Sequence, residues 1–456
     1  MFKKLFRPVD MTVGVPWKSI LAFTLPMLIG NIAQQMYNTV DSIVVGHYIG
    51  DNALAAVGSA APILNLLLVL FIGISAGAGI MVSQYFGARN REGLSHTVGN
   101  AVTVTAIASL IMILVASPLI RPFLILLNTP ETILDACTQY LLISLIGIAG
   151  MAYYNILSGM LRGLGDSVSA LVYLLIATVI NIVLDVYFVA VARMGVGGVA
   201  LATVIAQLVS ATLCMRKLMR LGQHFDFGLK YLRPRAAYVR TLIRLGLPAG
   251  MTQAILSSAM IVVQSLTNSF GEMFIAANVI IMRVDGFAMM PNFSFGMAMT
   301  TYTGQNIGAG RMDRVIKGAR QGTLLALICS ASITLLILIF GRYLMGVFTE
   351  TAELVTMSNY LMRILAAGYI AIAVSQSLSG VMRGAGDTMT PMWISLITTV
   401  ALRIPIAYGI SYLTRSEALP NGRFECVHVS LLISWSVGAL LTVLFYALGK
   451  WKKKGL

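Results

Sequence analysis

The chain is 456 residues long, 58% hydrophobic and only 11% charged, with a mean hydropathy of +0.85. Soluble domains carry about 25% charged residues, so this balance excludes an ordinary soluble protein and places the chain in a bilayer. The net charge of +15 would suggest nucleic acid in a soluble chain, but here the bases sit in short segments between apolar runs, as loops that fix membrane orientation do; no nucleic-acid partner is expected.

The basic start (Lys3, Lys4, Arg7) leads into an apolar run near 17–45 without a small-residue cleavage site, which reads as a retained first span rather than a signal peptide. Further runs long enough to cross a bilayer lie near 53–86, 96–120, 136–161, 168–192 and 197–215. A basic stretch at 216–244 follows, holding Pro234, and reads as a solvated linker that could touch anionic lipid heads. Six more runs lie near 245–269, 274–306, 321–345, 356–381, 390–413 and 427–449. The division expected is 1–215, a six-helix lobe; 216–244, the linker; and 245–456, a second six-helix lobe. The second span of each half is unusually long, so tilt or a bend is expected.

The two halves are copies. Leu157-Ser158-Gly159-x-x-Arg162-Gly163-x-Gly165-Asp166 returns at Leu378-Ser379-Gly380-x-x-Arg383-Gly384-x-Gly386-Asp387, a displacement of 378 − 157 = 221 residues. The same displacement joins Gly50 to Gly271, Gln84 to Gln305 and Gly87-Ala88 to Gly308-Ala309. A fixed period over this length means a tandem duplication, and duplicated apolar halves mark secondary transporters. With the N-terminus inside, interior segments hold 24 of the 32 Lys and Arg, while outer loops show Asp51, Glu131, Glu272, Glu350, Glu353, Glu417 and Glu425. That asymmetry places both termini in the cytoplasm, and the even span count makes the halves parallel repeats.

Few acids fall well inside spans: Asp41, Asp185 and Asp285. Charges there are costly and mark pathways by default. Asn31, Gln34, Asn38 and Asp41 share roughly an 80° arc of the first span, and Tyr37 lies one turn before Asp41. Asn181 and Asp185, four apart, share a face of the fifth span, and Thr203 in the sixth adds an oxygen. Carboxylates with amide and hydroxyl oxygens can coordinate a hard cation such as Na+ at Asp41, Asn181, Asp185 and Thr203, or share a proton. The residues do not choose between H+ and Na+. In the second half, Gln253, Ser257, Gln264 and Asn268 form a stripe without an acid, since Val263 and Ile406 stand where Asp41 and Asp185 would repeat. Arg283 and Asp285 are expected to neutralise each other or a neighbour, and Arg363 to snorkel or pair with Asp285. Pro26, Pro248 and Pro291 fall within spans, and Pro26 is a candidate hinge. Around Pro291, Met289 and Phe293 offer a pliable apolar surface. Gln34, Asn38, Gln253, Gln264, Arg283, Asp285, Met289 and Phe293 are the candidates for a substrate cleft.

Together these residues resemble the multidrug and toxic compound extrusion (MATE) family, in its DinF-like branch, over nearly the full length. The resemblance rests on Leu25-Pro26, Asp41, Gln84-x-x-Gly87-Ala88 and its copy Gln305-x-x-Gly308-Ala309, and both Gly-x-x-Arg-Gly-x-Gly-Asp segments. It implies an all-α membrane protein of twelve helices, in two six-helix pseudo-symmetric lobes forming a V around a central cleft. It further implies cation-coupled export of drugs, mainly organic cations, by alternating access. On this resemblance Tyr37, Asp41, Asn181, Asp185 and Thr203 match the first-lobe ion site, and Pro26 the bending proline beside it. A flippase for lipid-linked saccharides is the alternative; it would be expected to line its cleft with bases, and only Arg283, Arg363 and Arg403 are clear intramembrane ones. No enzyme activity is expected, since His47, His96, His224 and His428 lie apart without a metal or triad pattern. No cofactor is expected beyond the coupling ion. The partners expected are small cationic or amphipathic molecules and membrane lipids, for a monomer in a prokaryotic inner membrane.

Overall fold

The computed structural model describes residues 9–127, 129–417 and 419–455; the side chains at 37–43, 46, 51, 52 and 54 lie outside that description. Among the described residues the regular structure is helical, apart from one isolated bridge between Ser416 and Leu419. Nine helices among the described residues are long and apolar enough to cross a membrane, and two bent pairs bring the number to eleven. The helix Pro16–Tyr48, 33 residues long, precedes them.

The duplication is visible helix by helix. Spans two and eight, Asp51–Gly87 and Glu272–Gly308, are both 37 residues long. Each follows a glycine in the left-handed region, Gly50 at φ 103° and Gly271 at φ 89°, where a side chain would strain the turn. Spans four and ten, expected as single helices, are instead broken: Glu131–Ile146 meets Ile148–Gly163 at 51°, and Ala352–Ala366 meets Gly368–Gly384 at 43°. The cause is packing. A Cβ on Gly147 would stand 2.2 Å from Val204, and one on Gly368 would stand 2.5 Å from the Trp435 ring. The last span of each half thus presses a bulky side chain into the bend.

The repeated Gly-Asp motif is architectural. Gly159 and Gly163 turn toward the second span, where added Cβ atoms would lie 2.4 Å from Ser75 Oγ and 2.6 Å from the Gly79 carbonyl. Their copies meet the carbonyls of Gly296 and Thr300, each at 2.3 Å. Small residues that let backbones approach are how helices associate in lipid. The motif then ends its helix: Gly165 and Gly386 take φ values of 87° and 93°, and the following aspartate caps the next helix. Asp166 accepts from the Ser169 amide at 2.9 Å and hydroxyl at 2.7 Å. Asp387 accepts from the Thr390 amide at 3.3 Å and hydroxyl at 2.8 Å. A lysine at or beyond the end of the last span neutralises each cap: Lys217, in the last turn of Gly195–Met219, lies 3.3 Å from Asp166, and Lys454, beyond Cys426–Leu448, lies 3.0 Å from Asp387.

The chain forms two compact units that do not follow the repeat boundary. One holds the described residues up to Asp10 and Leu25–Gly250; the other holds Met11–Thr24 and the chain from Met251 onward. The sequence division at 215 and 245 put residues 11–24 with the first half and 245–250 with the second. Contacts assign them the other way, because the start of each half is held by its partner repeat. In the first unit, Gly246 lies so near Gly73 that a Cβ would meet its carbonyl at 2.6 Å. In the second, Arg314 is buried and donates to the carbonyls of Gly14, Met11 and Val13 and to Asn306 Oδ1, at 2.9–3.1 Å. Gln305 Oε1 accepts from the Met11 amide at 2.9 Å. Arg314→Ala should therefore weaken this strap by about 2–4 kcal/mol. Trypsin should then cut after the exposed Lys18 at least ~30-fold faster, with sites in the linker unchanged.

The linker differs from expectation in part. Much of 222–235 is exposed as expected, but the segment is also pinned to the start of span three. Arg91 lies 2.6 Å from Asp226 and also donates to the carbonyls of Gly222 and Gln223. Ser95 Oγ accepts from the Asp226 amide, and Asn100 Oδ1 from the Arg235 amide. Hydrogen-bonded pairing with Arg91 holds the Asp226 carboxyl below its ordinary value. A depressed carboxylate favours the folded contact above the unfolded pKa, near 3.9, and loses it only as pH falls through the lowered value. Hydrogen exchange over 222–232, corrected for intrinsic rates, should stay flat from pH 8 to 5 and rise only below the usual carboxylate range.

Candidate ion-coupling site

The first unit brings three of the expected oxygens together. Span five, Ser167–Val186, carries Asn181 and Asp185 one turn apart, and both are buried, at 0% and 1% exposure. Asn181 Nδ2 donates to Thr203 Oγ1 of span six at 3.3 Å. With its amide nitrogen so engaged, Asn181 Oδ1 is a buried oxygen with no hydrogen-bond partner among the described residues. A π-helical turn, Tyr187–Val191, begins two residues after Asp185; such turns break the regular ladder and recur at functional sites. Tyr37, Asn38 and Asp41 lie outside the described side chains.

Gln34 lines a cavity of about 10 Å³ with Leu174, Ala177, Thr178, Ala206 and Gln207. Residues 177–178 and 206–207 stand one helical turn from Asn181 and Thr203. The cavity is the size of one water, and Gln207 Oε1 is a further buried acceptor without a hydrogen-bond partner among the described residues. Gln207 went unnoticed in the sequence, although its four-residue spacing from Thr203 puts both on one face of span six. Buried, uncharged oxygens around a carboxylate suit a hard cation or a shared proton.

The second unit is arranged otherwise. Asp285 does not pair with Arg283 or Arg363. Residues two apart on a helix point to opposite sides, and Arg283 is exposed; Arg363 donates to the Leu338 carbonyl at 3.3 Å. Asp285 instead accepts from the hydroxyl of the fully buried Tyr369 at 2.8 Å. Arg403 lies at the end of a second π-helical turn, Ile397–Arg403, and is not among the ion pairs of the described residues. His428 is buried in the same unit, 2% exposed. Tyr369 and His428 had no signal in spacing; Arg403 had only its place within a span. The stripe Gln253, Ser257, Gln264 and Asn268 is exposed, with Gln264 donating to Asn268 at 2.8 Å. Phe293 is 43% exposed, while Met289 is partly buried against the second core. Pro26 lies inside the unbroken helix Pro16–Tyr48, two residues past the point where that helix passes from the second unit to the first.

Repeated membrane-spanning halves that bury polar oxygens define a multi-pass membrane transporter. The MatE family profile matches twice, over residues 26–187 and 248–409. The chain belongs to the MATE family. It is 30% identical to "Probable multidrug resistance protein YoeA" of Bacillus subtilis, over 96% of this chain and 95% of that one. It is 26% identical to "DNA damage-inducible protein F" of Escherichia coli, over 74% of each chain. The crystal structure of a MATE protein in complex with MaL6 superposes with a TM-score of 0.90, covering 98% of this chain and 99% of the other at 22% identity. The fold is therefore the twelve-helix, two-lobed MATE fold.

Proposed function

We propose that the protein is a cation-coupled antiporter that exports drugs, mainly organic cations, with its coupling ion taken up in the first unit. The observation that carries this reading is the buried pair Asn181 and Asp185, with Asn181 hydrogen-bonded to the half-buried Thr203, a costly arrangement in an apolar bundle unless an ion repeatedly occupies it. The multidrug-resistance names of its relatives support the substrate class. Asp41 and Tyr37 complete the site on the first span, and Pro26 is the joint at which that span bends as the site fills. Ion binding shifts the conformational balance only through its different affinity for the two states, so the carboxylates must be more accessible to the ion from outside than from inside. With both termini in the cytoplasm, Gln34 and Asn38 contribute to substrate binding in the first unit, and Gln253, Gln264, Arg283, Asp285, Met289 and Phe293 in the second.

Proteoliposomes holding a fluorescent organic cation test the reading. Export should follow an imposed sodium gradient or an imposed pH gradient and stop when that gradient is collapsed. Transport indifferent to both would refute cation coupling.

A further inference from the structure

Between spans five and six of the first unit, at the end that carries Asp166, a cavity of about 190 Å³ is lined by Tyr173, Leu213, Arg216, Lys217 and Arg220. That is more than ten times the ~10–15 Å³ a water needs. The three bases come from the last turn of Gly195–Met219 and its C-cap. Bases at a helix C-terminus answer the helix dipole in any protein, so they mark nothing alone. Their partners make the difference. Lys217 is spent on Asp166, its side chain only 15% exposed. Arg216 and Arg220 meet no carboxylate in any ion pair among the described residues, which leaves two guanidinium forks on the cavity beside the Lys217–Asp166 pair. The duplication does not produce this by itself. In the second unit the lysine on Asp387 follows the buried indole of Trp451, stacked on Tyr446 at 5.2 Å.

The surroundings are apolar and open. Along span five, Ile176, Val179 and Val183 are 38–63% exposed, and Leu208 on span six is 47% exposed. Spacings of three and four keep the span-five residues on one face. A basic cavity beside such a face fits a ligand with an anionic head and apolar chains. We propose that this cavity binds the headgroup of an anionic phospholipid. Arg216 and Arg220 hold the phosphodiester through paired N–H donors, and an acyl chain follows Ile176, Val179 and Val183. The assignment is independent of the transport reading.

Native mass spectrometry of the full chain tests it, after equilibration in detergent with equal amounts of phosphatidylglycerol and phosphatidylcholine. The wild type should retain one phosphatidylglycerol, and Arg216→Gln/Arg220→Gln should hold it at least tenfold less. Lys452→Gln/Lys453→Gln, which removes two exposed bases in the other unit, should retain it. Thermal unfolding of each variant confirms that it is folded. Equal retention by Arg216→Gln/Arg220→Gln, equal loss from the lysine variant, or equal binding of phosphatidylcholine would overturn the proposal. So would displacement of the lipid by inorganic phosphate at matched ionic strength, which would make this a site for free phosphate.

Discussion

Asp185→Asn should abolish gradient-driven export while leaving the protein folded and able to bind drug. The side chain is 1% exposed, and asparagine keeps its shape but neither its charge nor its titration. An amide in that place can still lend one oxygen to a cation, but it gives up the Coulombic attraction that repays the ion for leaving water. Initial rates of export in proteoliposomes should fall at least about a hundredfold, equivalent to about 2.7 kcal/mol. Equilibrium binding of the fluorescent cation should change by less than about threefold. Thr203→Val should be milder, roughly three- to tenfold. It removes one oxygen and leaves the Asn181 amide without its partner, at a cost of about 1–2 kcal/mol. Export by Asp185→Asn at the wild-type rate, at equal expression, would remove span five from the coupling site.

The second large effect concerns stability. Gly384→Ala should destabilise the second unit by about 3 kcal/mol or more, and Gly384→Val should prevent accumulation in the membrane. A Cβ there stands 2.3 Å from the Thr300 carbonyl and 2.9 Å from Thr303 Cβ, so two helix backbones would have to part. Overpacking of this kind costs about 1–3 kcal/mol in compliant cores and more where backbone is the obstacle. Gly163→Ala should act likewise in the first unit, where the Cβ meets the Gly79 carbonyl at 2.6 Å. Gly286→Ala is the control: it lies in span eight with nothing within 4 Å of the added atom, and its apparent melting temperature in detergent should match the wild type.

These two outcomes also mark what the sequence makes legible. The duplication is plain because Gly159, Gly163, Gly165 and Asp166 each do a job no other residue does well, so their spacing survives in both copies. The pairing of Asn181 with Asp185 is plain because helical periodicity fixes it. Neighbours across space are not. Nothing in the chain says that Tyr369 reaches Asp285, or that Val204 and Trp435 bend spans four and ten, since those contacts depend on how helices pack. The exchange of residues 11–24 and 245–250 between repeats is hidden for the same reason. It rests on Arg314 meeting backbone carbonyls and on glycine-to-glycine contact at Gly73 and Gly246, and neither has a pattern in one dimension. The tie from Arg91 to Asp226 joins residues 135 apart, which no local reading of a basic linker could reveal.

The most direct test is equilibrium binding of the coupling ion itself. Radioactive sodium binding and proton uptake should be measured on purified wild type and Asp185→Asn, in the absence of drug. The account predicts that one of the two cations binds the wild type and is displaced by the other, and that the variant loses this binding. An undiminished complement of bound cation in Asp185→Asn would contradict it.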